Sequence, residues 1–448
     1  MVLADRLRQQ DFYRKYLLAL LLLIQASNGV DGLTLGLVLQ YIKTDLHLTD
    51  TQLGFLGGIA FALFYSIMGI PIARWADRGN RVMIIGVTTA LWSVAVALCG
   101  LAASFAQLLL IRVVVAVGEA GCIPPAQSLI ADHFERAQRP RALAIYMLGQ
   151  SLSVVVGYCV AGWLNQFYGW RITFLMIGAP GLLLATLARF TLREPRLSQP
   201  HLSPPRVPAD AVRIRVPTAA PEHKASIKEV LAMLWSCVTF RHLLASFSVF
   251  YFFSCGIQQW QAAFFIRSYG LKTGELGNAF ALVYGLGSLV GTYCGGALAT
   301  RYAGNNERMQ LRALGVSFFL FALLSALVYV APSAYVAFAC LGLATMAGAT
   351  GNGPLFATVQ TLIPPHMRAT AIAFMYLSGN LIGLGLGPLA AGMLSDAIRP
   401  YAGEESLRYA LLILCPGYAW GAWHVWRAGR TVTRDLEGTS RNPEMASQ

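Results

Sequence analysis

Apolar runs of about 18 to 30 residues recur along this chain from Tyr16 almost to its end, each long enough to cross roughly 30 Å of hydrocarbon. In that solvent every backbone N–H and C=O must find its partner inside the protein, so only helices or a closed barrel can span it. Barrel strands alternate in polarity, and the stretch from Leu17 to Ile24 does not. An all-α polytopic membrane protein follows, and 56% hydrophobic against 12% charged residues agree with it.

Twelve spans are expected, at 16–42, 51–75, 82–105, 106–132, 140–164 and 170–190, then 241–266, 273–301, 312–331, 333–363, 366–395 and 407–427. The two sets of six flank a stretch rich in Pro, Ser and Arg. The expected organisation is an N-terminal six-helix bundle over 1–191, a cytoplasmic linker with an amphipathic helix over 192–240, a C-terminal bundle over 241–428 and a cytoplasmic tail over 429–448. The first run lacks a small-residue cleavage site and is expected to stay as the first span.

The net charge of +13 is explained by where the cations sit. Roughly 27 of the 34 Lys and Arg fall on the N-tail, the even-numbered loops and the C-tail, which places both termini on the cytoplasmic side of a cell (inner) membrane and leaves no role for nucleic acid. The eight Cys mostly lie in apolar spans without a CxxC pair and read as small buried thiols. No metal or cofactor is called for. HExxH, GxSxG and GxxxxGK[ST] are absent from the sequence, so neither an enzyme nor ATP hydrolysis is expected.

The halves repeat. Gln127 to His133 is echoed by Gln360 to His366, and Gly149, Gly157, Ala161 and Gly162 recur as Gly379, Gly387, Ala391 and Gly392 at one spacing of 230 residues. The glycines fit close helix approach, whether for sliding or for static packing.

Three ionisable residues lie deep inside spans, Asp31 in the first and Arg112 and Glu119 in the fourth. On insertion scales each costs at least about 2.5 to 3.5 kcal/mol near the bilayer centre. Asp31 lies about 22 Å from one edge and Arg112 about 9 Å from the other, which brings their depths together; Glu119 is seven residues on, along the same helix face. Asp31 and Glu119 are expected to take up and release protons, with Arg112 exchanging partners or holding an anion; a static ion pair is the alternative. Asn28, Tyr158, Gln258, Gln259, Asn352 and Asn380 are candidates for the same cavity, or for interhelical hydrogen bonds. Aromatic neighbours such as Tyr251, Phe252, Phe253 and Phe264 suit an acyl chain or ordinary packing.

Ala73-Arg-Trp-Ala-Asp77-Arg78-Gly-Asn-Arg81 resembles the G-x-x-x-D-R-x-x-R loop of the major facilitator superfamily, with Ala73 in place of the first glycine. That resemblance implies a two-bundle transporter fold, a site between the halves, and Asp77, Arg78 and Arg81 as a cytoplasmic gate. Arg112 to Pro125, with Gly118-Glu119-Ala120, and Asn28-x-x-Asp31 are similar to the spinster branch, with Gly32 in place of an Arg and Tyr158 in place of a Pro. The branch implies movement of sphingoid phosphates or lysophospholipids, with Asp31, Arg112 and Glu119 coupling it to protons. Gly-Glu-Ala also occurs in organic anion symporters, so a carboxylate is the alternative substrate, and a multidrug-type efflux pump or a non-transporting sensor are further ones. Protons, membrane lipids and a small amphipathic or anionic substrate are the expected partners of a chain working as a monomer.

Overall fold

A computed structural model describes residues 2–135, 138–195, 227–303, 306–364 and 367–441. Among these, every regular element is helical. Ten stretches are long and apolar enough to cross a membrane, and two of them, Arg141–Thr191 and Thr370–Glu437, each hold two crossings. The first of these is split by Gly169, with φ 78° and ψ 168°, and the second by Gly403, with φ 56°. Positive φ is accessible to glycine at little steric cost, which is why the chain turns back at these points. Twelve crossings result, in two bundles of six.

The first span is Val2–Leu46, the third Arg81–Cys99, the seventh Val238–Tyr269 and the ninth Glu307–Val330. Six others are interrupted. The second is Asp50–Gly57 and Ile59–Arg78, broken at Gly58; the fourth is Phe105–Glu119 and Ile123–His133; the tenth is Ala334–Ala349 and Asn352–Leu362. The eighth carries a π-helical turn at Ala281–Leu286 and the eleventh one at Gly379–Leu386. Such wide turns and breaks weaken the regular hydrogen-bond ladder and concentrate where helices bend. The twelfth span, from Ser406, continues as Gly417–Arg441 through residues read from sequence as tail. Ala428 and Val432, one turn apart, are buried in the C-half core and hold that continuation in place.

The outside of the molecule is apolar. Ile70, Leu101, Leu183, Phe190, Leu289 and Val316 are all exposed, as the surface of a multi-pass membrane protein must be when its surroundings are lipid. The short helix Ile227–Ser236 buries Val230 and Leu234 against the seventh span and leaves Lys228, Glu229 and Trp235 exposed.

The repeat is visible in three dimensions. Gly149 and Gly157 of the fifth span face Gln25 and Val30 of the first, while Gly379 and Gly387 of the eleventh face Tyr251 or Phe247 and Gly256 of the seventh. His47 and Gly270, which end the first and seventh spans, both have positive φ, 52° and 66°. One echo is misplaced. The segments Ile123–His133 and Asn352–Leu362 have equal length and matching flanks, so Gln127 is equivalent to Phe356 and not to Gln360. The likeness between Gln127 and Gln360 is one helical turn out of register, a shift that preserves the facing of each residue and so mimics a true repeat.

Candidate functional site

The first and fourth spans bring Asp31 and Arg112 into a direct ion pair between Arg112 Nη1 and Asp31 Oδ2. Asp31 is fully buried and Arg112 is 2% exposed. The arginine also stands over the Phe61 ring, 5.3 Å from its centre, so a cation–π contact covers one face of the guanidinium. The pair is incompletely satisfied: Asp31 Oδ1 and Arg112 Nε are buried without a hydrogen-bond partner among the described residues. Glu119 lies on the same helix, 8% exposed, and its Oε1 also lacks a partner. Charge–charge contact therefore joins two members of the expected triad, and Glu119 stands apart from the pair.

A cavity of about 300 Å³ opens between the halves. Arg112, Phe61 and Tyr158 contribute to its wall from the N-half, and Tyr251, Gln258 and Gln259 from the C-half. Gln150, not singled out in the sequence, lines it too and accepts a hydrogen bond from Gln25 at 3.2 Å. Gln259 packs against Gly57 and Gly36, and its Nε2 is buried without a partner. Asn28 points away from the cavity, toward Cys122 Sγ at 3.9 Å. Asn380 sits in the π-turn of the eleventh span, off the cavity wall. The side chain of Asn352 lies outside the described residues.

A second cavity, of about 210 Å³, lies inside the C-half and shares Gln258 with the first. The helix caps equate Asp31 with Ser254, Arg112 with Leu341 and Glu119 with Gly348, and all three of these line it. One half thus holds two carboxylates and a guanidinium where the other holds a hydroxyl, a butyl side chain and no side chain at all. Phe250, Phe321 and Tyr418 complete an aromatic wall. Phe264 belongs to the core instead, 4.8 Å from the Tyr329 ring.

At the end that carries residues 46–50 the halves are joined by hydrogen bonds. Asp50, fully buried, is held by Arg267 of the seventh span at 2.8 and 2.9 Å, by Lys43 at 2.6 Å and by Ser395 of the eleventh at 2.7 Å. Asp396 accepts from the backbone N–H of Asp50 at 3.1 Å, from that of Thr51 at 2.7 Å and from the Thr51 hydroxyl at 2.6 Å. A carboxylate from one half therefore caps a helix of the other, where the helix dipole favours it. None of these four charged residues stands out in the sequence, because each lies at a helix end where charges are common. Thr49 with Gln52 is a capping box that marks the helix start, but nothing local reveals the partner 346 residues away.

At the opposite end, carrying residues 78–81, Arg81 is buried and pairs with Glu194 and with Asp132, the latter at 2.7 Å, and donates to Ser128 at 3.0 Å. Glu194 also accepts from the Arg81 backbone N–H at 2.7 Å. Arg78 is exposed, Asn80 caps the third span, and the side chain of Asp77 lies outside the described residues. Among the described residues the hydrogen bonds between the halves cluster at the 46–50 end.

Comparison with known proteins completes the picture. The chain is 30% identical to, and superposes with a TM-score of 0.82 on, the crystal structure of a bacterial homologue of the human lysosomal transporter Spinster in an inward-facing, unoccupied conformation, over 94% of this chain and 98% of that one. It is 30% identical to an MFS-type efflux pump of Mycolicibacterium smegmatis, over 93% of this chain and 92% of the relative. A cis,cis-muconate transport protein of Acinetobacter baylyi is 25% identical over 65% of this chain and 68% of its own length. The Major Facilitator Superfamily profile matches residues 21–388. With twelve crossings, two repeated halves and a cavity between them, this chain belongs to the major facilitator superfamily of membrane transporters, in its spinster-like branch.

Proposed function

We propose that this transporter moves an amphipathic anion of the lysolipid or sphingoid-phosphate kind, driven by protons, by rocking its halves about the central cavity. The observation that carries this reading is the contrast between two equivalent places: on one side of Gln258, Arg112 in the wall of the central cavity, paired with buried Asp31 and followed on its helix by Glu119, and on the other an uncharged cavity walled by Phe250, Phe321 and Tyr418. A molecule with an anionic head and an apolar tail matches both at once.

In this mechanism Arg112 has two alternative partners. Paired with deprotonated Asp31, it is neutralised and holds an anion weakly. Protonation of Asp31 or Glu119 removes a competing negative charge and frees the guanidinium for the headgroup, whose phosphate accepts two N–H donors in one plane. Release on the other side returns the arginine to Asp31 and the proton to water. Tyr158, Gln258 and Gln259 are assigned contacts to the substrate, and Asp77, Arg78 and Arg81 a gate at the 78–81 end. Both termini are placed in the cytoplasm of an inner membrane, which makes the closed 46–50 end extracytoplasmic and the conformation inward-facing. The bundles are divided at 1–191 and 241–428, with the linker 192–240 between them and the tail 429–448 after, and the chain works as a monomer without catalytic chemistry.

The experiment is transport in proteoliposomes loaded with a lysophospholipid or sphingoid phosphate, with and without a pH gradient, for wild type and Glu119→Gln. Gradient-driven movement that is lost in the variant is expected. Accumulation of a small carboxylate with no movement of lipid would instead favour the second reading, an organic anion symporter, which the likeness to the muconate transport protein supports.

A further inference from the structure

On the outer face of the C-half, at the 78–81 end, the seventh and twelfth spans gather a basic, aromatic cluster that the transport cycle does not use. Nδ1 of His242 and Nδ1 of His424 lie 3.0 Å apart. Trp423 stands edge-on to both rings, at 6.2 and 4.8 Å between centres. The Arg427 guanidinium lies 5.1 Å from the Trp423 ring centre, and that of Arg430 lies 4.0 Å from Trp426. Arg241 adjoins His242 on the neighbouring helix. Arg241, Trp423, Trp426, Arg427 and Arg430 are exposed, whereas Ala422, Val425 and Ala428 between them are buried, so the row faces out of the bundle.

The charge is uncompensated. Among the described residues no carboxylate pairs with Arg241, Arg427 or Arg430, although the next arginine, Arg434, has Asp435 at 3.6 Å. Its depth is that of a membrane surface: Trp423 lies about 26 Å and Arg427 about 32 Å along the twelfth span from Ser406, against roughly 30 Å of hydrocarbon. Tryptophans partition to this level, and arginine one turn further out meets the phosphates.

We propose that this cluster is a binding site for the headgroup of an anionic phospholipid, resident on the seventh and twelfth spans. Arg241 and Arg427 supply charge-assisted hydrogen bonds to the phosphate. In the histidine pair one ring donates through Nδ1 and the other accepts, so the accepting ring carries its proton on Nε2 and keeps that N–H for a further oxygen. The indoles of Trp423 and Trp426 pack on the glycerol region. A zwitterionic headgroup brings its own cation into a site that already holds three arginines and is disfavoured. The site is distinct from the Asp31–Arg112 pair, which lies in the other half.

The test is native mass spectrometry of the full chain titrated with phosphatidylglycerol and, separately, phosphatidylcholine. Wild type is expected to retain phosphatidylglycerol several-fold more than phosphatidylcholine. In Arg241→Ala/Arg427→Ala that retention should fall at least fivefold, while Arg427→Lys falls less and Arg74→Ala, an exposed arginine of the N-half at the same end, matches wild type. Equal retention of both lipids by wild type, or a double variant that holds phosphatidylglycerol as well as Arg74→Ala does, overturns the assignment. Size-exclusion profiles of each variant keep a folding defect separate from a lost site.

Discussion

Two seams close the 46–50 end, and they are copies of each other. In one, the second span meets the eleventh: Gly54 lies against the Pro388 carbonyl, Gly392 against the Asp50 carbonyl, and Asp396 accepts from the backbone of Thr51. In the other, the eighth meets the fifth: Gly277 lies against the Tyr158 carbonyl, Gly162 against the Thr273 carbonyl, and Gln166 accepts from the Gly274 N–H at 2.9 Å. Ser395 and Asn165, likewise equivalent, each donate to the first residue of the facing helix. Backbone geometry has been kept and the chemistry has diverged. One seam holds a buried carboxylate and a half-buried one with an arginine and a lysine; the contacts of the other are made by neutral groups. The repeat therefore fixes how the halves touch, while side chains decide how firmly each seam holds.

The largest effect on this contrast is expected from the glycines. A leucine at Gly54 would place its Cβ against the Leu389 backbone, 2.9 Å from Cα, and against the carbonyl before it. Backbone cannot give way as a side chain can, so Gly54→Leu should abolish transport, by more than about 20-fold in initial rate, and Gly277→Leu should do the same from the neutral seam. Normal uptake in either variant would mean that the seam does not close during the cycle.

Charge comes next. Asp50→Asn leaves Arg267 and Lys43 without their shared anion, and removing one partner of a buried pair costs about 3 to 5 kcal/mol. Spin labels at Leu101 and Tyr335, exposed residues at this end in opposite halves, should report a shift from short to long distances. Unchanged distances would show that the neutral seam alone keeps this end shut. Asp396→Asn should act in the same direction but more weakly, by about 1 to 1.5 kcal/mol, because an amide can keep one of its hydrogen bonds. The smallest change runs the other way. Gln166→Glu gives the neutral seam a carboxylate at a helix start, worth about 0.3 to 1 kcal/mol, and the same labels should show the short-distance population growing.

Much of this architecture was legible in the sequence for a physical reason. Long apolar runs admit few alternatives in lipid, and Asp31 and Arg112 announce themselves by standing where charge is costly. The glycine repeat at one spacing located the fifth and eleventh spans as equivalents, and the structure sets each glycine against the equivalent helix. What stayed hidden had no local signature. Asp50, Arg267 and Asp396 sit at helix ends, where a charge needs no explanation, and their meaning lies in partners hundreds of residues away. The break at Gly58 and the π-turn beginning at Ala281 occupy equivalent places, yet a single glycine and an alanine carry no shared pattern to betray a bend. Of the polar candidates, Tyr158, Gln258 and Gln259 line the cavity while Asn28 turns toward Cys122, because facing on a fully apolar helix cannot be read from a polarity stripe.

Where the charged seam lies matters as much as what it contains. Asp50, Asp396 and their donors sit at the mouth of the bundle, within reach of bulk water once the halves part. Each contact given up there is replaced by one to solvent, so a typical hydrogen bond contributes only about 0.5 to 1.5 kcal/mol to holding the mouth shut. The same groups at mid-membrane would have nothing to turn to and would weld the halves together. Placed at the water's edge, they form a latch, firm while closed and easily undone.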